Sequence, residues 1–275
     1  MLDLCTGNGA AAIIAAETGR AQGKSFEIVA VDLADIDPPA FVSRHAEALA
    51  AIAFHGRTDV EALPFADGGF GAVISQYGIE YSNLERSVPE AVRMLAPGGR
   101  LRLVVHAADG AVAADARKVI AEADLLLGEI DLTGCARRCF AALAAVERPP
   151  GAGDPAEADR AFAAFQAALE RAARRIGQAH DKTMFRNTGA VLLDTFKRRA
   201  AFGLDQLLAK VDEAQGEINA HRGRLEALVA AALDRDGAQA LAARLRGFGA
   251  ETAGSAPLEY AGGLIGHVVE ARFPA

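Results

Sequence analysis

The opening of this chain constrains it most: Leu2-Asp3-Leu4 runs directly into Cys5-Thr6-Gly7-Asn8-Gly9, and that into Ala10-Ala11-Ala12-Ile13-Ile14. A short apolar stretch, a glycine turn and an Ala/Ile-rich stretch read in that order as strand, tight loop and helix, the start of a βαβ unit. Glycine permits torsions and close ligand approach that a Cβ forbids, so the turn is a candidate ligand loop. By itself it does not choose the ligand. Gly7-Asn8-Gly9-Ala10-Ala11-Ala12 also fits the G-x-G-x-x-A form of a dinucleotide site.

The alternation begun there continues to about His106. Met1–Leu4, Glu27–Asp32, Ala51–His55, Gly71–Gln76 and Arg100–His106 read as strands. Ala10–Thr18, Ala40–Ala50 and Leu84–Leu95 read as the helices between them, the last closed by Ala96-Pro97-Gly98-Gly99. This is the pattern of a parallel sheet flanked by helices.

From Ala111 to about Ala250 the chain is rich in Ala, Leu, Arg and Glu and reads as mainly helical. Leu204, Leu207, Leu208, Val211, Ile218, Leu225, Leu228 and Val229 recur at helical spacing. The ordinary reading is a stripe packed on the domain; a coiled-coil homodimer seam is the alternative. The stretch Glu147-Arg148-Pro149-Pro150-Gly151-Ala152-Gly153-Asp154-Pro155 cannot continue a helix and predicts a loop or hinge. The tail from Pro257 to Phe273 returns to strand-like composition around Gly262-Gly263, which predicts a hairpin that comes back to the sheet.

Charge and cysteine content narrow the function. The net charge of −7 argues against a generic nucleic-acid binder, which presents a basic face. The deficit is concentrated in residues 1–110, where 8 Lys/Arg stand against 14 Asp/Glu, a balance compatible with holding a cationic ligand. Cys135 and Cys139 lie one helical turn apart without a His/Cys pair at zinc-ligand spacing, so no metal site is expected. No apolar run reaches the roughly 18–20 residues of a membrane helix and no basic-then-apolar leader opens the chain, so a cytoplasmic protein is expected.

The strand Val29-Ala30-Val31 ends in Asp32, the right place and chemistry to accept both hydrogen bonds of a ribose diol. Dinucleotide and S-adenosyl cofactors both use this arrangement. What separates them is Asp3 before the turn, together with Gly56-Arg57-Thr58-Asp59-Val60-Glu61-Ala62-Leu63-Pro64-Phe65 and Arg93-Met94-Leu95-Ala96-Pro97-Gly98-Gly99-Arg100-Leu101. On these segments residues 1–107 resemble the class I S-adenosylmethionine-dependent methyltransferases, in particular the small-domain, type 11-like group.

The resemblance implies an α/β fold: a doubly wound, mostly parallel Rossmann-like sheet. To this the reading of the remaining residues adds a large helical insertion after the fifth strand and a C-terminal antiparallel hairpin. The expected divisions are residues 1–110 for the S-adenosyl-L-methionine core, 111–255 for a helical substrate, lid or interaction region, and 256–275 for the returning hairpin. The resemblance further implies that Gly7, Asn8 and Gly9 wrap the methionine end of the cofactor, with Asp3 nearby. Asp32 holds the ribose, Leu33 packs on the adenine, Asp59 and the Val60 backbone read the adenine edge, and Gln76 sits beside the sulfonium. A turn or capping role is the alternative for Asp59.

Three departures from the family pattern stand out. Cys5 replaces the usual first glycine, a tolerable change if its backbone torsions are ordinary. Gly71 stands where the fourth strand usually starts with Asp, at the end away from the cofactor. The sequence also begins inside the first strand, where related enzymes usually carry helices that cover the pocket, so the expectation is either a misassigned or truncated start or cover supplied by the region after residue 110.

Methyl transfer asks the protein mainly for alignment and a dry site, with a base only if the nucleophile arrives protonated. Ligands of open α/β sheets bind at the carboxyl ends of the strands, which selects Tyr77, Glu80 and Tyr81 after the fourth strand and His106 after the fifth. His106 is the candidate base, because histidine titrates near neutrality; a histidine bonded to backbone at a strand end is the alternative. Glu80 is either a functional carboxylate or, as is commoner, an exposed loop residue. Tyr77 and Tyr81 either wall an aromatic or lipid-like substrate or belong to local core. The expected activity is methyl transfer to an O, N or C atom of a small molecule. The alternatives are a non-catalytic binding or assembly protein on the same fold, or a macromolecule methyltransferase.

Overall fold

Leu2, Leu4, Ala30, Val31 and Val73 are fully buried. Because side chains alternate between the faces of a strand, burial of adjacent residues requires cover on both sides, which marks these strands as the middle of a sandwich. The computed structural model of the chain describes residues 1–148 and 151–275. Its strands are β1 (Leu2–Leu4), β2 (Ile28–Val31), β3 (Ile52–His55), β4 (Phe70–Gln76), β5 (Leu95–His106), β6 (Thr252–Tyr260) and β7 (Gly263–Arg272). Its helices are α1 (Ala10–Ala21), α2 (Pro38–Phe41), α3 (Ala46–Ala50), α4 (Leu84–Arg93), α5 (Ala111–Leu127), α6 (Leu132–Glu147), α7 (Pro155–Ile176), α8 (Lys182–Lys197), α9 (Leu204–Ala231) and α10 (Arg235–Gly247).

The strands form one sheet in the order β3-β2-β1-β4-β5-β7-β6. β1 to β5 are parallel, and β7 lies antiparallel between β5 and β6. The parallel part reverses direction of winding between β1 and β4, the position at which doubly wound sheets open a ligand crevice. The mostly parallel sheet and its returning hairpin are as the sequence predicts. One face packs Leu2, Leu4, Val73, Leu101, Leu103 and Val269 against α4 and α10; a second cluster joins Ala12 and Ile13 of α1 to Ile28, Ala30, Leu49 and Ile52.

Two compact units divide the chain, Met1–Ala114 with Ala230–Ala275, and Asp115–Val229. The predicted boundary at residue 255 therefore differs from the observed one, and the reason is α10. Its Ala238, Leu241, Ala242 and Leu245 are buried in the sheet core, a commitment that Ala/Leu/Arg composition alone does not reveal. α10 also repairs α4. Pro89 inside α4 removes the N–H that would bond the Glu85 carbonyl, and Arg244 Nη2 donates to that carbonyl at 3.1 Å while Nη1 pairs with the Glu85 carboxylate.

Other local differences have equally local causes. The predicted helix Ala40–Ala50 is two short helices, because Val42 is extended and His45 takes a left-handed φ of 65° before α3. α4 stops at Arg93 rather than Leu95, since Leu95 already pairs with Phe70 in the sheet and Gly98 turns at φ 75° inside the extended β5.

The second unit has its own core of Phe140, Phe165, Phe185, Leu132, Leu192, Leu207, Val211 and Ile218. The α9 stripe is thus packed inside this unit at Leu207, Val211 and Ile218, while Leu204, Leu208, Leu225, Leu228 and Val229 are half-buried. Of the expected breaker, Pro149 and Pro150 lie outside the described residues. Pro155 starts α7, where a missing N–H costs nothing, and Asp154 caps the helix by accepting from the Ala156 N–H at 2.9 Å.

The β6–β7 turn is Ala261-Gly262 with φ of 49° and 78°, the two-residue geometry that favours Asn-Gly because an alanine Cβ resists it. Ala261→Asn is expected to raise the stability of the chain by about 0.5 to 1 kcal/mol, measured by urea unfolding; an unchanged or lowered midpoint would contradict that turn.

Candidate cofactor site

The chain leaves β1 through a left-handed turn: Cys5, Gly7 and Gly9 have φ of 55°, 55° and 82°. Thr6 N–H donates to the Val31 carbonyl and Gly9 N–H to the Thr6 carbonyl, both at 2.9 Å, so the loop is pinned to the end of β2 before α1 begins. A Cβ at Gly7 would meet nothing within 4 Å. The space in front of this glycine is open, as a ligand loop requires, and Asn8 beside it is exposed.

Asp32, at the tip of β2, faces that loop. Its Oδ2 accepts from the Gly7 N–H at 2.8 Å and its Oδ1 from the Ala34 N–H at 2.9 Å. A carboxylate has about four lone-pair sites, so both oxygens retain capacity for a ribose diol. Leu33 next to it is 70% exposed, an apolar side chain held in water beside the loop. Asp59 performs the turn role, its Oδ1 accepting from the Glu61 N–H at 2.9 Å; Oδ2 has no partner among the described residues. Val60 follows, buried against the core. Carboxylate followed by backbone N–H is the donor–acceptor pattern that the edge of an adenine complements. The residues therefore fit an S-adenosyl group by their chemistry and by the open glycine.

Asp3 is buried within β1, and Thr6 Oγ1 donates to its Oδ2 at 2.6 Å. Burial pushes its carboxyl up to about 6, against the Thr6 and Ala12 hydrogen bonds that favour the charged form. Cys5 corrects the expectation of ordinary torsions: it adopts the left-handed φ that a glycine would adopt without strain, at a cost of about 1 to 2 kcal/mol. Its thiol is pushed up to about 12 by burial and by the charges of Asp32, Glu80, Asp3 and Asp59, so it is not a nucleophile.

At the other side of the crevice, Gln76 ends β4, exposed, and Tyr77 turns the chain at φ 54° with its N–H donating to the Val104 carbonyl at 2.7 Å. Ser75 Oγ donates to the Leu4 carbonyl at 3.0 Å and accepts from the Ile79 N–H at 3.1 Å, tying the ends of β1 and β4 to the 3-10 turn Ile79–Tyr81. This brings Glu80 under His106. Contrary to the commoner expectation of an exposed loop carboxylate, Glu80 is buried, and its Oε1 lies 3.0 Å from the His106 backbone N–H and 2.8 Å from Nδ1. The Tyr77 ring lies 4.3 Å from the His106 ring and Tyr81 meets it edge-on at 6.1 Å.

Sequence reasoning missed Ser75, Gly78 and Gly266. A Cβ at Gly78 would overlap Cys5 Cβ, and one at Gly266 would sit 3.2 Å from Tyr77 Cε1 and 2.6 Å from the Val105 carbonyl. Gly78 was within reach as a glycine two residues beyond a strand end; Gly266 was not, because only the β5–β7 register sets it against His106.

Residues 1–99 match the family model described as a methyltransferase domain. This part of the chain is similar to a methyltransferase domain. It contains the glycine turn, Asp32, Asp59, Gln76, Tyr77 and Glu80, and stops short of His106. A demethylmenaquinone methyltransferase of Thermus thermophilus is 41% identical over 104 residues, covering 37% of this chain and 44% of that protein. The chain thus spans under half the length of the curated relative it matches. Among solved structures, geranyl diphosphate C-methyltransferase of Streptomyces coelicolor aligns at 20% identity, covering 38% of this chain and 39% of that one, with a TM-score of 0.33. An S-adenosylmethionine-dependent methyltransferase of Mesorhizobium loti aligns at 21% identity over 39% and 46% of the two chains, with a TM-score of 0.31.

The turn after β1 has two measurable consequences. Asp3 has a folded-state value of about 6, above its ordinary 3.8, so the native chain keeps a proton that the unfolded chain releases between those values. The stability contribution of that proton is complete below about 4 and lost as pH rises through about 6. Asp3→Asn is expected to stabilise the chain at pH 7 by on the order of 2 kcal/mol and to flatten this window; denaturant titrations across pH that keep the slope would refute it. Gly78→Ala is expected to cost about 1 to 3 kcal/mol through the Cys5 overlap. Cys5→Gly in the same chain should recover most of that loss, and additive losses in the double variant would show that the overlap is not the cause.

Proposed function

We propose that the chain is an S-adenosyl-L-methionine-dependent methyltransferase acting on a small molecule. The observation that carries this reading is the Asp32 carboxylate reached by the Gly7 N–H at 2.8 Å, at the carboxyl edge of the sheet beside the β1–β4 reversal. Gly7, Asn8 and Gly9 hold the methionine end, with Asp3 beneath. Asp32 holds the ribose hydroxyls, Leu33 covers one adenine face, and Asp59 with the Val60 backbone reads the adenine edge. Gln76 lies next to the sulfonium. The bound cofactor supplies an already activated methyl carbon, so the protein's part is to align the acceptor and exclude water.

His106, Tyr77 and Glu80 form the acceptor side. Burial, then the charge of Glu80, pushes the Tyr77 and Tyr81 phenols above their ordinary value. With the Cys5 thiol pushed up to about 12 as well, His106 is the side chain there left to accept a proton. A relative named for demethylmenaquinone supports a small-molecule acceptor, as do the tyrosine rings beside His106. None of the cofactor candidates falls in residues 115–229. Among the described residues no helix is long and apolar enough to cross a membrane.

Calorimetric titration of the 275-residue chain with S-adenosylmethionine tests the reading. Micromolar binding is expected, weakened about 10- to 100-fold in Asp32→Ala by loss of charge-assisted hydrogen bonds. No binding at millimolar cofactor, or equal binding by the variant, would overturn it.

A further inference from the structure

Glu80 is a carboxylate at this edge of the sheet whose side chain is wholly buried, and it is aimed at a histidine rather than at the open crevice. Its placement is built from several directions. Ser75 Oγ fixes the Ile79 N–H, the Tyr81 N–H donates to the Gly78 carbonyl at 3.0 Å, and the Ser82 N–H to the Ile79 carbonyl at 3.0 Å, so the 3-10 turn is closed before any side chain is considered. Gly78 lets that turn lie directly against Cys5. His106 is fixed as firmly: it ends β5, pairs with Gly266 across the sheet, and its carbonyl accepts from the Leu233 N–H at 2.9 Å.

Within that frame a single oxygen, Glu80 Oε1, serves two nitrogens of one residue. The His106 backbone N–H is necessarily a donor, so Oε1 is an acceptor there, and the 2.8 Å approach of Nδ1 to the same oxygen is favourable when Nδ1 also carries its hydrogen. In a neutral imidazole only one nitrogen is protonated, and the bond made by one decides the state of the other. His106 Nε2 has no hydrogen-bond partner among the described residues, and the ring keeps about a tenth of its surface open. We propose that Glu80 is a positioning residue: it holds His106 as the Nδ1–H tautomer, so that bare Nε2 receives the proton leaving the methyl acceptor.

This assignment rests on the methyl-transfer reading and deepens it, because it selects acceptors whose reacting atom arrives with a proton. In the step, the acceptor atom forms its bond to the methyl carbon and the methyl–sulfur bond breaks, its electron pair remaining on sulfur. The acceptor's proton passes to Nε2. The sulfonium charge is thereby replaced by an imidazolium, whose Nδ1–H faces the Glu80 carboxylate. The other groups around the ring do not compete. Tyr77, Tyr81 and Cys5 hold their protons. Asp3 is bonded to Thr6 in the cofactor turn, and His267 lies beside Val105 in β7, with its own Nε2 buried.

The test needs neither acceptor nor cofactor. The full chain, labelled with nitrogen-15 histidine, is examined by NMR on the alkaline side of the ordinary histidine range, and His106 is assigned from the signal missing in His106→Gln. A protonated Nδ1 and a bare Nε2 are expected. Glu80→Gln should retain that pattern, since its amide oxygen still accepts both N–H groups; Glu80→Ala should lose it while the other histidine signals stay in place, which reports that the fold is intact. A His106 protonated on Nε2 in the unaltered chain, or an unchanged tautomer in Glu80→Ala, would overturn the assignment. Cofactor calorimetry is independent of this readout: its failure ends the methyl-transfer reading without altering the tautomer, and an Nε2–H ring does the reverse.

Discussion

The carboxyl edge of this sheet depends on the way the chain leaves β1. Three residues in five, Cys5, Gly7 and Gly9, take left-handed torsions, and their reward is a loop whose Gly7 N–H reaches Asp32 while its open side faces the crevice. The same turn places Cys5 against Gly78, which sets where the chain leaves β4. Ser75 then joins the ends of both strands with one hydroxyl. The turns after β1 and β4 are therefore one mechanical assembly, and a distortion of either is transmitted to the other through close contacts with little slack.

The two sides of the crevice differ in electrostatic character. Around the β1 turn, Asp3, Asp32 and Asp59 converge with no neighbouring cation in hydrogen-bonding contact among the described residues, and Asp3 is held up to about 6, mainly by burial and in smaller part by the charge of Asp32. Such a site favours a cationic ligand, because the ligand supplies the charge that the fold withholds. Beyond the end of β4 the carboxylate of Glu80 is turned inward to a histidine, and the tyrosine rings face that histidine from two directions.

The parts legible in sequence were those set by local chemistry. Strand, glycine turn and helix follow from periodicity, and the place of Asp32 at the tip of β2 follows from the apolar run before it. The parts hidden were set by contacts between distant segments. Cys5 gave no sign of its left-handed torsion, because cysteine itself has no preference for it. Glu80 looked like a loop carboxylate until the turn at Ile79 put it beneath β5. α10 has the composition of the helices before it, yet it belongs to the sheet, and nothing within its own 13 residues says so.

The sheet-bearing unit is made from two stretches separated by 115 residues of independently cored helix. β7 has to enter beside β5 and bring β6 with it, and Arg244 has to reach the carbonyl left bare by Pro89. During synthesis the N-terminal stretch therefore emerges first but is finished last. β5 waits as an open, hydrogen-bonding edge while the contiguous helical unit forms, and the final 46 residues, Ala230–Ala275, close it. An unpaired apolar strand edge is the usual site of misassociation in a nascent chain, so the vulnerable period in this protein's life falls between emergence of β5 and arrival of its C-terminal hairpin.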